Sequence, residues 1–346
     1  MTIHVIDPLT DTRWNSFVTR HPQASVFHQT GWLAALAYTY FYKPFVLTTT
    51  PPGETLRDGI VFCRVSSWIT GKRLVSLPFV DHCEPLLDEP GDMLSMVRWL
   101  RAECDQQQYA YVELRPMSST TEGYPGLYPS RSFYFHELDL KPSLEQLFQA
   151  LHKDSVQRNV RGAERKKVSY KAGRSQDLIN DFYELLLITR RRHQLPPQPI
   201  AWFNNLVECM GDKVELMLAT KNETPIAAIL TLRHGSSVVY KYGCSDHRFH
   251  HLGGMPFLFW RLIQESKKAG VERIDFGRTD IDNGGLSTFK ERFGAQRRSL
   301  TYYRYSQVKS ARRNSERSAQ LFRKLFSLMP DAALRSAGSI LYRHMG

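Results

Sequence analysis

The spacing of hydrophobic and polar positions predicts a mixed α/β chain. Residues 144–151 place apolar side chains at i, i+3, i+4 and i+7, the spacing of one buried helical face. Short apolar or alternating runs bounded by turn residues predict strands in both halves. These runs lie at residues 45–49, 58–66, 73–80, 109–114, 133–140, 213–220, 225–233, 237–243, 272–276 and 300–305.

The order of predicted elements is similar in two halves of the chain: helices first, then an antiparallel meander, then a helix and a strand. A length of 346 residues also agrees with about two domains. We therefore predict an N-terminal domain at residues 1–140, a C-terminal domain at 141–308 and a basic helical tail at 309–346. Ser143 occupies the N-cap position of the first helix in the second domain.

The tail carries an amphipathic pattern. Apolar residues recur at helical spacing within 321–326, and basic residues surround them. A basic amphipathic helix of this kind lies in the interface of an anionic membrane. Pro330 should end it and leave a second short helix at 332–342. The alternative, in which both helices pack against the body of the protein, stays open.

Composition describes a folded, strongly basic protein. Hydrophobic residues make up 42% and aromatic residues 12%, which excludes an intrinsically disordered chain. The formal net charge is +12, with basic residues concentrated at 153–174 and from residue 309 onward. Such clusters can contact phosphates, RNA or an anionic membrane, or they can be solvated helix faces.

Cysteine usage and the N-terminus predict a cytoplasmic protein, with peripheral contact at the inner membrane if the tail binds lipid. The five cysteines are scattered and form no CxxC pair, which indicates reduced thiols. The first residues have neither a positive segment nor an apolar core of a signal peptide. The longest nearly apolar stretch, 31–45, is too short to span a bilayer.

The most informative motif joins an apolar strand, Val271 to Phe276, to a glycine loop and a short helix that carries Lys290. The helix ends in the pattern FKxxFG at residues 289–294, and residues 157–167 form the basic segment QRNVRGAERKK. Together these segments resemble the Fem family of peptidoglycan aminoacyltransferases and related BioF2-like acetyltransferase domains. The resemblance implies tandem GNAT-like domains, each with a mixed, mostly antiparallel sheet flanked by helices. It also implies an acyltransferase.

The same resemblance places the donor at the loop 244–254, which precedes a predicted helix. Gly253 and Gly254 would let a phosphate approach the amides at the helix N-terminus. The loop keeps only part of the GNAT signature Q/R-x-x-G-x-G/A, because His250 and Met255 depart from it. The donor stays open between acyl-CoA and aminoacyl-tRNA, and no tightly bound cofactor is expected.

Lys290 is the catalytic group that the resemblance implies, since a cation there stabilises an oxyanion or leaving group electrostatically. Phe289 beside it is assigned to substrate binding. Tyr240 and Tyr242 correspond to acceptor-contacting tyrosines of the family, and strand alternation places both on one sheet face. The alternative is that the two tyrosines pack in the core.

Further substrate contacts are predicted in two other segments. Arg190 and Arg192 end a helix and could bind a diphosphate or carboxylate, or complement the helix C-terminus. Residues 77–86 resemble the loop that lines the acceptor cleft of FemAB-like proteins. There Asp81 and His82 could deprotonate or orient an amine, with Glu84 binding substrate. A polar turn is the alternative.

A metal site is not predicted. The loop holds Cys244, Asp246, His247, His250 and His251, but zinc sites need a second ligand pair that this sequence lacks. We therefore expect an N-acyltransferase or aminoacyltransferase that acts on an amine of a cell-envelope or exopolysaccharide precursor. The expected partners are this precursor and, if the donor is an aminoacyl-tRNA, the tRNA. No DNA partner is expected. The alternative is a catalytically silent GNAT-fold module that binds an anionic polymer, RNA or membrane.

Overall fold

The computed structural model describes residues 2–88, 90–117, 123–306 and 330–346. The described residues form two compact units: unit 1 comprises 2–88, 90–117, 123–133, 299–306 and 339–346, and unit 2 comprises 134–298 and 330–338. The chain passes from one unit to the other after residues 133 and 298, whereas the sequence predicts domain boundaries at 140 and 308. Each change falls inside a long continuous strand, so no turn or linker marks it. The assignment of the predicted domains as functional halves stays a prediction.

The described elements alternate between strands and helices. The strands are β1 His4–Ile6, β2 Lys43–Thr48, β3 Ile60–Ser67, β4 Gly71–Val75, β5 Val112–Leu114, β6 Tyr128–Asp139, β7 Ser169–Gly173, β8 Val214–Lys221, β9 Thr224–His234, β10 Ser237–Ser245, β11 Arg273–Asp280 and β12 Gln296–Tyr305. The helices are α1 Thr12–Arg20, α2 Thr30–Tyr40, α3 Pro90–Gln106, α4 Leu144–Ala150, α5 Arg158–Arg165, α6 Gln176–Arg192, α7 Ile200–Met210, α8 Gly254–Lys268, α9 Gly284–Glu291 and α10 Asp331–Met345.

Unit 1 contains a mostly antiparallel sheet in the order β1-β2-β3-β4-β5-β12. The pair β4/β5 is parallel, and the other pairs with a recorded register are antiparallel. Alternate residues of β2, β3 and β4 pack against α3, forming a buried cluster with Phe45, Phe62, Leu74, Met96 and Leu100. This burial anchors the sheet face on which α3 lies.

The strand predicted at residues 73–80 is too long, since β4 ends at Val75. Leu77 and Phe79 have φ angles of +70° and +60°. A left-handed backbone cannot continue a strand, and side chains with a Cβ rarely adopt it. The hydrophobic pattern continues through this segment because its residues are buried in a loop. Strands β1 and β7 and helix α1 were not predicted.

In unit 2 the second half of β6 is followed in the strand order by β11, β10, β9, β8 and β7, and the pairs with a recorded register are antiparallel except β10 with β11. One face is covered by α8, whose Leu258, Phe259 and Ile263 join a cluster with residues of β8 to β11. Helix α6 contacts β8, β9 and β10 and also packs on α7. The predicted α/β class with a mostly antiparallel sheet flanked by helices is therefore confirmed. The predicted cap is also present, because Ser143 accepts a hydrogen bond from the Gln146 amide at the start of α4.

The C-terminal helix α10 begins directly after Pro330, as predicted, and reaches Met345 rather than 342. Its end packs on unit 1, where the Tyr42 hydroxyl donates to the carbonyls of Tyr342 and Arg343, both at 3.1 Å. For residues 330–346 this supports packing against the body. The predicted amphipathic helix at 321–326 lies outside the described residues. Within the described residues, no helix combines the length and the apolar character needed to cross a membrane.

Candidate functional site

The parallel strands β10 and β11 separate after a short paired stretch. They pair over Ser237 to Val239 and Arg273 to Asp275. Beyond that point β10 continues to Ser245 and β11 continues to Asp280. Beyond the paired stretch, the carbonyls of Gly277 and Arg278 in β11 accept hydrogen bonds from the Lys290 ammonium group. Helix α8 follows β10 after a short loop, so the opening lies beside the start of that helix.

A β-bulge in β10 changes the predicted placement of its tyrosines. The pairing of β10 with β9 shifts between Tyr240 and Tyr242. As a result Tyr240 packs on Phe259 of α8, at 4.7 Å between ring centroids, whereas Tyr242 packs on Phe203 of α7, at 5.3 Å. The prediction that both tyrosines share one face is wrong, because the bulged residue reverses the alternation. Burial also raises the pKa of the Tyr240 hydroxyl well above its usual range.

Lys290 is buried beside the separated strands, with 3% of its surface exposed. Its ammonium group donates to the backbone carbonyls of Gly277 and Arg278, both at 2.9 Å. Gly277 has φ +72°, so both carbonyls belong to an irregular turn within β11. Lys290 thus fixes this strand to α9. The neighbouring Phe289 is half-buried and packs on Phe259, at 5.5 Å between centroids. The catalytic role of Lys290 stays a prediction, and its geometry supports a positioning role.

A polar cluster that the sequence did not indicate lies beside Lys290. His136 of β6 is fully buried, and its Nε2 lies 3.1 Å from the Ser287 hydroxyl. Ser287 donates to the Glu291 carboxylate at 3.0 Å. Because the Ser287 hydroxyl donates to Glu291, its oxygen can accept a hydrogen bond from Nε2 of His136. Burial and the charge of Lys290 lower the pKa of His136, opposed by Glu291. Ser287 lies about 150 positions after His136 in the sequence, so no local pattern predicts the cluster.

The predicted donor loop ends in a turn that α5 covers. Gly253 has φ +75°, and a Cβ there would lie 2.8 Å from the carbonyl oxygen of Asn159. Lys166 after α5 donates to the carbonyl of His251 at 2.5 Å. Gly254 begins α8 and is itself buried. Close packing therefore accounts for both glycines, and their role in donor binding stays a prediction. Because Pro256 lacks an amide hydrogen, the first turn of α8 offers few donors to a phosphate.

One of the two predicted arginines reaches this loop. The Arg192 guanidinium lies 3.5 Å from Nε2 of His250, which in turn lies 3.0 Å from the Ser245 hydroxyl. Burial, followed by the charges of Arg192 and His247, lowers the pKa of His250. The arrangement is electropositive and suits an anionic group. Arg190 instead donates to Gln198 at 3.2 Å, towards α7.

The acidic and histidine residues of the loop serve its own structure. Asp246 accepts from the Arg248 guanidinium at 2.6 Å and caps the short 3-10 helix 247–252. The Arg248 side chain, more than opposing burial, holds the pKa of Asp246 below its usual range. Among the described residues, no group of three or more His, Cys, Asp or Glu side chains is arranged to hold a metal ion.

Asp81, His82 and Glu84 lie in unit 1, in the loop that follows β4. The backbone carbonyl of Asp81 accepts from the Tyr302 hydroxyl at 2.6 Å. The ring of His82 is buried against Phe27, at 5.5 Å. The Glu84 carboxylate accepts from the Met117 amide at 2.5 Å. The side chains of Asp81 and Glu84 are half-buried, so both retain solvent access. Their roles as substrate-binding or proton-transferring groups stay predictions.

A half-buried arginine that the sequence analysis missed organises this loop. Arg115 donates to the carbonyls of Leu77 and Val80 at 3.0 and 3.3 Å, and it pairs with Glu113 at 2.8 Å. Burial opposes ionisation of Glu113, but Arg115 and Arg304 outweigh it and lower its pKa. Glu113 lies between the apolar Val112 and Leu114 of the short strand β5, and Arg115 follows the strand. A buried carboxylate between apolar strand residues was the available signal.

A Cys–His contact in the same loop is not a nucleophilic pair. The Cys83 sulfur lies 3.4 Å from Nε2 of His28, and both residues are buried. Burial, with a smaller effect of Glu84, raises the pKa of the Cys83 thiol well above its usual range. The thiol stays protonated, whereas a reactive cysteine needs a stabilised thiolate.

Comparison with known proteins agrees with this architecture. Residues 152–291 match the acetyltransferase (GNAT) domain family. This range includes the separated strands, the donor loop and Lys290. No curated protein shows significant sequence similarity to the chain.

Three solved structures have the same fold. The chain resembles FemX with a TM-score of 0.65 and 14% identity, covering 93% of this chain and 100% of FemX. It resembles the C-terminal domain of a putative lysylphosphatidylglycerol synthetase from Agrobacterium fabrum, with a TM-score of 0.54, 16% identity and coverage of 84% and 90%. A tandem GNAT protein from the clavulanic acid biosynthesis pathway gives a TM-score of 0.55, 11% identity and coverage of 89% and 100%. The predicted tandem GNAT-like fold is confirmed.

Proposed function

We propose that this chain, a FemAB-like acyltransferase of the GNAT superfamily, transfers an acyl or aminoacyl group to an amine of a cell-envelope or exopolysaccharide precursor. The separation of β10 from β11 is the observation that carries the proposal. It leaves an opening beside the start of α8, bordered by the turn that Lys290 holds. FemX and the synthetase domain share this fold, which supports an envelope acceptor.

The chemistry that we propose is direct transfer. The lone pair of the acceptor amine attacks the carbonyl carbon of the donor ester or thioester and forms a tetrahedral oxyanion. The bond to the donor oxygen or sulfur then breaks, and the amine loses one proton. Lys290 maintains the turn at Gly277 and Arg278, and its positive charge favours the oxyanion at this edge of the sheet. Asp81 and His82 are the proposed proton acceptors.

We favour aminoacyl-tRNA over acyl-CoA as the donor. Asn159 packs against Gly253 at the start of α8, which limits the room for a pyrophosphate there. Helix α5 carries exposed basic residues beside this position, including Arg161 and Arg165. A row of exposed cations suits a nucleic-acid backbone, where binding depends on phosphate neutralisation. Arg192 and His250 would then bind an anionic group of donor or acceptor.

Binding measurements test the donor. Charged tRNA carrying a non-hydrolysable aminoacyl linkage and an acyl-CoA would each be titrated against the full chain. We expect tRNA to bind. The double variant Arg161→Glu with Arg165→Glu should lower the affinity for tRNA by about tenfold or more at moderate salt, because two phosphate contacts are lost. The control pair Lys141→Glu and Lys268→Glu changes the same charge elsewhere. Tight binding of acyl-CoA alone would overturn the tRNA assignment, and binding of neither would favour the silent module.

Cytoplasmic residence with peripheral contact at the inner membrane completes the proposal. The basic tail predicted at 309–346 is its sequence basis. Fractionation of cells that express the full chain would test it. We expect the protein in the cytosolic and salt-extractable membrane fractions.

A further inference from the structure

A cavity in unit 1 is lined by cations and aromatic rings and lies outside the site described above. Its volume is about 250 Å³, and its lining includes Lys43, Arg64, Lys72 and Arg343. No carboxylate lines it within the described part of the chain. Four cations around one small cavity create a positive potential that attracts an anion.

Strand register explains why these cations are adjacent. Lys43 of β2 lies directly opposite Arg64 of β3, and Ser66 of β3 lies opposite Lys72 of β4. Arg64 and Ser66 are two residues apart, so all four side chains share one sheet face. Like charges directly opposite each other destabilise a sheet.

Only part of this repulsion is relieved inside the molecule. Arg64 lies 3.7 Å from the Glu103 carboxylate and stacks on Phe45 at 4.0 Å. Lys43 and Lys72 are exposed, and among residues 2–88, 90–117, 123–306 and 330–346 neither forms an ion pair. An external anion would therefore neutralise a cluster that the fold leaves positive.

One exposed apolar side chain, Phe41, lines this cavity, and Trp68 and Ile69 are exposed in the turn before β4. Phe41 is 66% exposed, because its left-handed backbone at φ +60° turns it outward after α2. The Arg343 guanidinium lies 4.7 Å from its ring centroid. Trp68, at the turn between β3 and β4, is 83% exposed, and Ile69 follows it. The Trp68 ring contacts the ring of His344, next to Arg343, at 5.5 Å.

The C-terminal end is held firmly at this place. Arg73 donates to the carbonyls of Gly346 and His344 at 2.6 and 2.9 Å. Both Arg73 and Tyr42 are buried, and together they fix the backbone of residues 342–346. Arg343 is therefore presented at the cavity by a rigid support.

We propose that this surface, formed by Phe41, Lys43, Trp68, Ile69, Lys72 and Arg343, docks on a bilayer of anionic phospholipid. The cavity takes one lipid phosphate, while Trp68 and Phe41 enter the headgroup region. Exposed tryptophan and phenylalanine beside lysine and arginine form the composition of a membrane-interface belt. A small soluble phosphate would match the cavity but leave the exposed Trp68 and Ile69 without a role. The proposal extends the envelope function, but it requires no acyl transfer.

Sedimentation with vesicles tests the proposal on the full chain. Vesicles of phosphatidylcholine alone would be compared with vesicles that also contain phosphatidylglycerol, at low and high salt. We expect binding only to the anionic vesicles and its loss at high salt. Lys43→Glu with Lys72→Glu should lower the partition coefficient by at least about tenfold, since each basic residue near an anionic surface contributes about one decade or slightly less. The control is Lys141→Glu with Lys268→Glu, which should bind nearly as the wild type does.

A second readout reports on the aromatic residues. Trp68 fluorescence should shift to the blue on anionic vesicles and be quenched by brominated lipid, and Trp68→Phe should remove most of this signal. Phe41→Ala with Trp68→Ala should weaken binding, whereas Tyr128→Ala, which removes another exposed ring, should not.

Three results would overturn the proposal. The first is an absence of binding to anionic vesicles. The second is an equal loss of vesicle binding in Lys43→Glu with Lys72→Glu and in the control Lys141→Glu with Lys268→Glu. That result would assign binding to overall charge or to residues outside the surface. The third is saturation of the cavity by free glycerol phosphate without any vesicle effect on Trp68. The vesicle experiments contain no acyl donor, so the result of an acyl-transfer assay does not affect their interpretation.

Discussion

Two irregular backbone stretches, one in each unit, are held by cations, and they differ in the residues that adopt a left-handed backbone. In unit 1, Arg115 binds the carbonyls of Leu77 and Val80 and pairs with Glu113. In unit 2, Lys290 binds the carbonyls of Gly277 and Arg278. The first stretch uses Leu77 and Phe79 in left-handed conformations, whereas the second uses glycine.

The first stretch is strained, whereas the second is not. Left-handed Leu77 and Phe79 cost about 1–2 kcal/mol each, and only strong local bonds can maintain them. Gly277 has no such cost. The charge of Lys290 contributes, after burial, to the lowered pKa of His136. The proposed stabilisation of a transient oxyanion by Lys290 would make unit 2 the reacting unit.

The largest expected effect follows from removing the arginine. Arg115→Met should lower the free energy of unfolding by about 3–5 kcal/mol, because it leaves Glu113 buried with less compensation and two carbonyls without their donor. Urea unfolding followed by circular dichroism would measure it. Arg20→Met, at an exposed position, is the control and should change little. If Arg115→Met lowers the free energy of unfolding no more than Arg20→Met does, the role assigned to Arg115 is refuted.

Lys290→Met should have a smaller effect on stability and a large one on transfer. We expect a loss of about 1–3 kcal/mol, the cost of leaving buried carbonyls unsatisfied. Turnover measured where the variant is still folded should fall by roughly a hundredfold, as for the loss of one oxyanion stabiliser. Normal turnover in the folded variant would limit Lys290 to a structural role.

The third prediction tests the glycine that distinguishes the two stretches. Gly277→Ala should cost about 1–2 kcal/mol, because alanine is disfavoured at φ +72°. Gly284→Ala is a matched control at the start of α9, where a Cβ meets nothing within 4 Å and φ is not positive. That change should be neutral or slightly stabilising. Equal effects of the two changes in thermal unfolding would contradict the assigned strain.

The smallest predicted effect concerns pH. His136 is buried, and its pKa in the folded state lies below the unfolded value of about 6.5. The unfolded state therefore binds the proton more readily, and the stability from this group is present above pH 6.5 and is lost as pH falls below it. His136→Gln should reduce the loss of stability between neutral and mildly acidic pH. If the free energy of unfolding falls as steeply with decreasing pH in the variant as in the wild type, other histidines cause the loss.

Local patterns were enough to predict the α/β class, the strand-to-helix motif at Lys290 and the helix after Pro330. Periodicity and capping residues act over a few positions, so they can be read from one sequence. The bulge at Tyr240 and Tyr242 could not be predicted, since it depends on pairing with β9. The contact of Arg115 with Leu77, and that of His136 with Ser287, join distant segments. Such contacts arise from the packing of whole sheets, which no short window contains.

Mass spectrometry of envelope precursors and polysaccharide tests the central claim most directly. A strain that lacks the gene would be compared with the same strain complemented by the wild-type chain or by Lys290→Met, at matched protein levels. The account predicts that one acyl or aminoacyl mass disappears in the deletion strain. The wild type should restore it, and the variant should restore much less of it. Unchanged masses in the deletion strain would contradict acyl transfer to these precursors.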